Sequence, residues 1–292
     1  MTKRQGCLVW IGVFALAFPV AHAQSPQQIV QQVVSTEHAA DENDHSRWIY
    51  LEEIRKPQQR LLQWVATTPE GDVERVLEKN SQKLPESQQS GLVHEFLQDA
   101  GARRKQVAQA NHDNQQIDDL LQLLPVAFRW TQTGQTATLS RLHFEPAPNF
   151  HPPTREARVF SSMTGDLIVD NQQHRIRAMS GHLLHPVAFG GGILGKLKSG
   201  SFSLEQEQVA RGLWELTSFH LHFDGNAFLF KSISLQEDDN RSGFEREPST
   251  ISLDQAARAV MSRPEVLGAQ PAFASRASTQ AISADSRLQS AR

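Results

Sequence analysis

The chain is poor in the residues that most readily identify a site. Among its 292 residues there is one cysteine, Cys7, and one tyrosine, and aromatic residues make up 7 %. A single cysteine excludes a disulfide framework and a cysteine-based zinc ribbon. Lys and Arg (29) do not outnumber Asp and Glu (32), so no basic excess exists to displace counterions, and nucleic acid is not an expected partner. No G-x-S-x-G elbow is present, because Ser180-Gly181 and Ser199-Gly200-Ser201 lack its spacing. Without an activated nucleophile the chain is not expected to be an enzyme. With 39 % hydrophobic residues and a net charge of −3, it has enough apolar mass for a real core.

The first 23 residues read as a leader, not as part of the fold. Lys3 and Arg4 make a basic start, residues 7–20 are apolar, and Ala21-His22-Ala23 is a small-x-small cleavage site. The apolar run is short for a bilayer span and is broken by Pro19, so a cleaved secretory signal is expected and no stable membrane anchor. Removal of residues 1–23 takes Lys3, Arg4 and Cys7 with it, moving the net charge from −3 to −5 and leaving no cysteine. The mature protein is expected in the periplasm or outside the cell.

In the mature chain, Ile29, Val30, Val33 and Val34 recur at helical spacing over 26–36, followed by an acidic loop over 37–44. Residues 47–54, 60–67 and 72–79 read as strands, the last two joined by a turn at Glu70-Gly71-Asp72. A helical insert follows over 85–124, closed by Pro125, with apolar stripes at its two ends and a polar middle. Residues 126–131, 138–144, 158–162, 166–170, 174–180, 201–209, 213–223 and 226–235 then read as strands. They lie too close together for helical crossovers, which makes the sheet antiparallel. Asp224-Gly225 reads as a two-residue hairpin turn, pairing Leu221 with Phe228 and Phe219 with Phe230. This register places Phe219, Leu221, Phe223, Phe228 and Phe230 on one face. Beyond Gln236 periodicity is lost. Residues 24–236 are the expected domain and 237–292 a C-terminal extension, with one helix over about 252–261 capped by Ser252 and Gln255 and a disordered tail from Gly268.

Two patterns resemble sites and fall short. Gly190, Gly192 and Gly195 fit G-x-G-x-x-G, but Leu197 stands where a magnesium-binding hydroxyl is needed and no βαβ unit surrounds them, so they read as a glycine-rich connection in which Ile193 and Leu194 fold over a sheet edge. His220 and His222 lie about 7 Å apart on one strand face, with His182 and His185 a further pair in sequence. Zinc needs three or four converging ligands, and spacing fixes no carboxylate beside them. No metal or other cofactor is expected, and these histidines read as solvent-facing.

The segments Met163–Asp170 (MTGDLIVD), His174–Ile176, Gly181–Leu184 and Phe189–Gly195, with Trp214 before the last hairpin, carry a resemblance. Together with the order leader, helix, strand hairpin, helical insert, strands, they make the chain similar to exported bacterial proteins of the lipoprotein-sorting superfamily, which includes LolA-type carriers, LolB-type receptors and RseB-type regulators. The resemblance implies an α+β fold, a curved antiparallel half-barrel with covering helices, and a lipid or acylated protein as partner. The chain has no cysteine placed for acylation, which disfavours a LolB-like anchored role.

The expected function is therefore non-catalytic binding or carriage of a hydrophobic ligand, a lipid or lipoprotein acyl chain. The expected cleft lining is Phe219, Leu221, Phe223, Phe228 and Phe230, joined by Trp48, Tyr50 and Trp64, with the helices of 86–124 as a movable lid. One alternative is an envelope sensor or assembly module that binds another protein through the same surface. A further alternative is a metal-dependent enzyme using His220 and His222.

Overall fold

Ser25 opens the first helix with a capping box, its hydroxyl accepting from the Gln28 N–H while the Gln28 side chain accepts from the Ser25 N–H. In the computed structural model, which describes residues 24–190, 194–227 and 231–265, this helix is α1 (Pro26–Asn43). It is followed by β1 (Arg47–Lys56), β2 (Gln59–Ala66), β3 (Val73–Lys79), β4 (Gln82–Lys83), α2 (Glu86–Gln98) and α3 (Ala100–Ala127). Then come β5 (Phe128–Gln135), β6 (Leu139–Pro146), α4 (Arg155–Phe160), β7 (Met163–Asp170), β8 (Arg175–Leu183) and β9 (Val187–Phe189). Three long strands, β10 (Gly195–Ala210), β11 (Leu213–Ala227) and β12 (Lys231–Glu247), precede α5 (Leu253–Met261).

The strands form one open, antiparallel, 12-stranded sheet in the order β4-β3-β2-β1-β12-β11-β10-β8-β7-β6-β5, with β9 paired to β10. The fold is α+β. Helices cover opposite faces at the two ends. Val30, Val33 and Val34 of α1, with Leu124 and Ala127 of α3, pack on Trp130, Leu142, Phe144, Leu167, Val169 and Met179. At the other end, Val93 of α2 and Ala256 and Val260 of α5 pack on Ile49, Trp64, Val73 and Leu77. The register fixes these as different faces. Leu51 and Trp64 are cross-strand partners on the α5 side, whereas Tyr50 and Val65 point the other way. From Ile54, on the face of Tyr50, the pairs Ile54–Asp239, Asp239–Phe219, Phe219–Leu204, Leu204–Met179 and Met179–Leu167 lead into the core beneath α1. We call the two faces the α1 face and the α5 face.

Several local expectations are corrected. The acidic stretch 37–43 continues α1, because Glu37 is buried, accepts the Ile176 N–H at 2.6 Å and pairs with Arg175 at 2.8 Å. Residues 158–160 of the expected strand 158–162 belong to α4, since the Thr154 hydroxyl accepts the Ala157 N–H and Ala157 is buried; so short an apolar run suits either state until a cap decides. Pro125 does not end α3, which runs two residues further. The charged residues 237–247 do not leave the sheet. They complete β12 between β11 and β1, where Arg241 pairs with Glu52 at 3.1 Å and Asp239 at 2.7 Å, and Glu237 pairs with Lys56 at 3.0 Å. The folded unit therefore extends past Gln236, and α5, with the Ser252–Gln255 capping box, is part of its core.

Asp224-Gly225 is not a turn. Both residues lie within β11, opposite Ser234 and Ile233, and the β11–β12 pairing continues to Ala227 and Lys231. The glycine answers a different demand. A Cβ on Gly225 would lie 2.5 Å from the Lys196 carbonyl oxygen of β10, so close strand approach requires it. The register moves with it: Phe219 faces Asp239, Leu221 faces Glu237 and Phe223 faces Leu235. Phe228, Phe230 and Ile193, like the leader and the tail from Val266, lie outside the described residues.

Candidate functional site

The centre of the sheet carries no helix layer of its own among the described elements, and its two faces differ. On the α1 face, cross-strand pairs set Phe202 beside Leu221, Leu204 beside Phe219 and Gly200 beside Phe223, with Leu235 opposite Phe223 on β12. Phe202, Leu204 and Phe223 lean against the core under α1, Phe219 and Leu221 are half-buried, and Leu235 is 49 % exposed. The rings lie down on glycines. A Cβ on Gly200 would sit 2.1 Å from the Phe223 ring, and one on Gly181 2.9 Å from that of Phe202. The result is a continuous apolar strip on the three longest strands, with Glu237 and Asp239 along one side.

Of the sequence-predicted lining, Phe219, Leu221 and Phe223 share this strip. Trp48 and Tyr50 lie on the same face but are buried in a separate cluster, where Tyr50 stacks on Phe244 with ring centres 5.1 Å apart and the β10–β11 hairpin end (Val209, Ala210, Leu213) closes over them. Trp64 is on the opposite face, packed under α5, and its indole N–H donates to the Pro264 carbonyl at 3.0 Å. Phe202 and Leu204 were missed, although the alternation Phe202-Ser203-Leu204-Glu205 displays them. Only the β10–β11 register shows that they meet Leu221 and Phe219.

One helix spans the sheet ends. At its start, α3 is held on the β2–β3 turn, where the Asp72 N–H donates to Gln106 Oε1 at 2.7 Å. At its end, the Leu124 carbonyl accepts from the Trp130 indole on β5 at 3.0 Å. Between these anchors, residues 108–117 are exposed on every side, including Ile117. Side-chain bonds one turn apart, Gln109 to Asp113 at 2.8 Å and Gln115 to Asp119 at 2.9 Å, support this free length.

The α5 face at the sheet centre is polar. A shallow cleft of about 430 Å³ draws His143, Asp166, Ser180, His182, Ser201, Ser203, His220, His222, Gln236 and Asp238 from six strands, β6 to β8 and β10 to β12, with Gly165, Gly181, Phe202 and Leu221 also contributing to its lining. Three imidazoles have carboxylate partners: His143 with Asp166 at 3.0 Å, His220 with Asp238 at 2.9 Å, and His222 with Asp224. The two acidic partners of the strand histidines come from residues read as a turn and as an exit, which is why spacing did not reveal them. The hydrogen bond from His222 holds the exposed Asp224 carboxyl below the ordinary range. Among the described residues, no three His, Cys, Asp or Glu side chains converge as metal ligands. Asp238, His220 and Ser218 form a chain of hydrogen bonds at 2.9 and 3.0 Å, but the Ser218 hydroxyl also meets Asn240 Oδ1 at 3.1 Å and lies outside the cleft lining.

A second cleft, of about 290 Å³, lies between α4 and β9, lined by Pro152, Pro153, Thr154, Arg155, Arg158, Phe189, Gly190 and Leu194. On the far side of the sheet centre, burial and the nearby Asp44 carboxylate push Glu215 up to about 7. Glu215 is half-buried at the start of β11.

Comparison with protein-family models, curated proteins and solved structures finds no match. Among the described residues no helix is long and apolar enough to cross a membrane.

Proposed function

We propose that the chain is a non-catalytic binder or carrier of a hydrophobic ligand, a lipid or lipoprotein acyl chain, acting in the periplasm or outside the cell. In this reading the sheet is bent as in a LolA-like half-barrel, and the ligand lies on the α1 face. The observation that carries it is the strip of Phe202, Leu204, Phe219, Leu221, Phe223 and Leu235, apolar, contiguous and only partly covered. A soluble fold normally buries or interrupts such a run.

Curvature is supported by the span of α3. Nine inter-strand steps separate β3 from β5 in the sheet order, about 43 Å if the sheet were flat. The helix from Gln106 to Leu124, which joins contacts on both ends, is about 27 Å long. Even with side-chain reach, a chord that short favours a bent sheet. The free middle of α3 suits a cover that can move, because only its ends are anchored. Half-enclosing a twelve-carbon chain on the strip is worth about 5 kcal/mol at the usual gain per methylene, enough for reversible capture without covalent chemistry.

The test is Phe219→Asp with Leu221→Asp, two half-buried side chains outside the main core. Mass spectrometry of the purified protein should find a co-purifying amphiphile in the parent and lose it in the double variant. A parent protein free of lipid that also fails to take up a fluorescent fatty acid refutes the proposal.

A further inference from the structure

The cleft between α4 and β9 has apolar walls, Pro152, Pro153, Phe189 and Leu194, and two exposed guanidiniums, Arg155 and Arg158, one helical turn apart. The arginine–carboxylate pairs among the described residues involve other arginines, and Glu156, between these two in sequence, does not line the cleft. Two guanidiniums with no carboxylate partner among the described residues, beside Pro152, Pro153, Phe189 and Leu194 in a cleft of about 290 Å³, match an oxyanion joined to hydrocarbon, because the planar fork of Arg takes a carboxylate or phosphate in two parallel bonds. The protein as a whole is acidic, so this local positive pair is not part of a general basic surface.

The cleft also lies at one end of the apolar strip. Phe160 of α4 packs on Phe128 with ring centres 5.1 Å apart, which puts α4 on the α1 face. β9 pairs with β10 at Gly195–Leu197, and Gly200, beneath the Phe223 ring, is about 17 Å along β10 from Gly195. Leu184 and Leu194, which flank β9 in sequence, are exposed at 42 % and 48 %.

We propose that Arg155 and Arg158 bind the anionic head group, a phosphate or carboxylate, of an amphiphile whose chain runs onto the strip. This inference rests on the hydrophobic-ligand reading above and adds the ligand's charge. Calorimetry with monomeric dodecyl phosphate, uncharged dodecyl maltoside and inorganic phosphate tests it. Arg155→Gln with Arg158→Gln should weaken dodecyl phosphate by about tenfold or more while changing dodecyl maltoside less than about twofold. Both side chains are exposed, so folding is not at issue. Dodecyl phosphate affinity unchanged in the glutamine pair, but lost in Phe219→Asp with Leu221→Asp, overturns the head-group assignment and leaves the hydrophobic reading standing. Inorganic phosphate bound as tightly as dodecyl phosphate overturns the amphiphile and leaves a plain anion site. Neither amphiphile binding the parent protein refutes both.

Discussion

Glu37 fastens α1 to the sheet, and removing it should uncouple the first helix from the fold. Its carboxylate takes the Ile176 N–H through one oxygen at 2.6 Å and the Arg175 guanidinium through the other at 2.8 Å, with both side chains largely buried. Arg175 depends on it. Its Nε already lacks a partner, the Trp214 ring at 6.0 Å is worth about 1 kcal/mol, and the Glu215 carboxyl acts on it only through space. Glu37→Ala therefore strands a buried cation and a strand N–H, a loss of about 3–5 kcal/mol. At the usual sensitivity of a domain this size, that lowers Tm by about 6–20 °C. Glu37→Gln keeps an acceptor for Ile176 and should cost less, about 1.5–3 kcal/mol.

Urea unfolding followed by tryptophan fluorescence measures the loss, and hydrogen exchange locates it. Amides of α1 should exchange faster in Glu37→Ala, whereas those of β1 and β2 change only with global stability. Glu37→Leu combined with Arg175→Leu should recover the part of the loss that comes from the stranded cation, since it leaves no buried charge, while the Ile176 N–H stays unpaired. A Glu37→Ala cost under about 1 kcal/mol, or a double variant as unstable as the sum of the singles, refutes the clamp.

Arg75 performs the equivalent task at the other end. Its Nη1 donates to the carbonyls of Val260, Met261 and Arg263 at 3.2, 3.0 and 2.7 Å, and its Nε to Gln89 at 2.8 Å. Arg75→Ala should cost about 2–4 kcal/mol and expose residues 248–252 to limited proteolysis, with Arg75→Lys a poor substitute because one ammonium cannot reach all four acceptors. For Glu215, the folded pKa near 7 exceeds the ordinary value of 4.5, so the parent's stability falls as pH rises from about 4.5 through 7. Glu215→Gln should reduce that slope, the remainder belonging to Glu74, which burial and the Glu52 and Asp72 carboxylates also push up to about 7, and be the more stable protein at pH 8, by on the order of 1–2 kcal/mol after allowance for solvent screening. Equal pH slopes for parent and variant, measured by urea titration, would contradict this. Ser218 should resist a fluorophosphonate probe, since its hydroxyl proton is shared between His220 and Asn240; stoichiometric labelling would point to a hydrolase instead.

How far the sequence spoke for itself depended on whether a feature is local. The α5 capping box needs only Ser252 and Gln255, and both bonds form. The antiparallel character followed from strand spacing alone, and every strand pair obeys it. Features that depend on partners distant in sequence were misread in a consistent direction. Glu37 looked like loop because its stabilising partner, Arg175, is far along the chain. Residues 237–247 read as part of the C-terminal extension because Glu52 and Lys56 of β1 are what make Arg241 and Glu237 acceptable in an interior strand. In each case a charge was taken as a signal for solvent when it was half of a pair.

The Asp224-Gly225 misreading has the larger functional consequence. A glycine can be required by positive φ or by a close neighbour, and only the first makes a turn. Here the Lys196 carbonyl supplies the neighbour, so β11 runs on and the face opposite Phe223 passes to Leu235 of β12. The shared face of Phe219, Leu221 and Phe223 survives the change, because strand periodicity fixes it whichever residue lies across. Their partners do not survive it. Glu237 and Asp239, not phenylalanines, now border Leu221 and Phe219. A ligand on this strip would thus meet along one long side carboxylates already paired with Lys56 and Arg241 and, at the β9 end, the two arginines of the α4 cleft. Such an arrangement distinguishes the two ends of an amphiphile, and a purely aromatic trough of the kind first read from the hairpin would not.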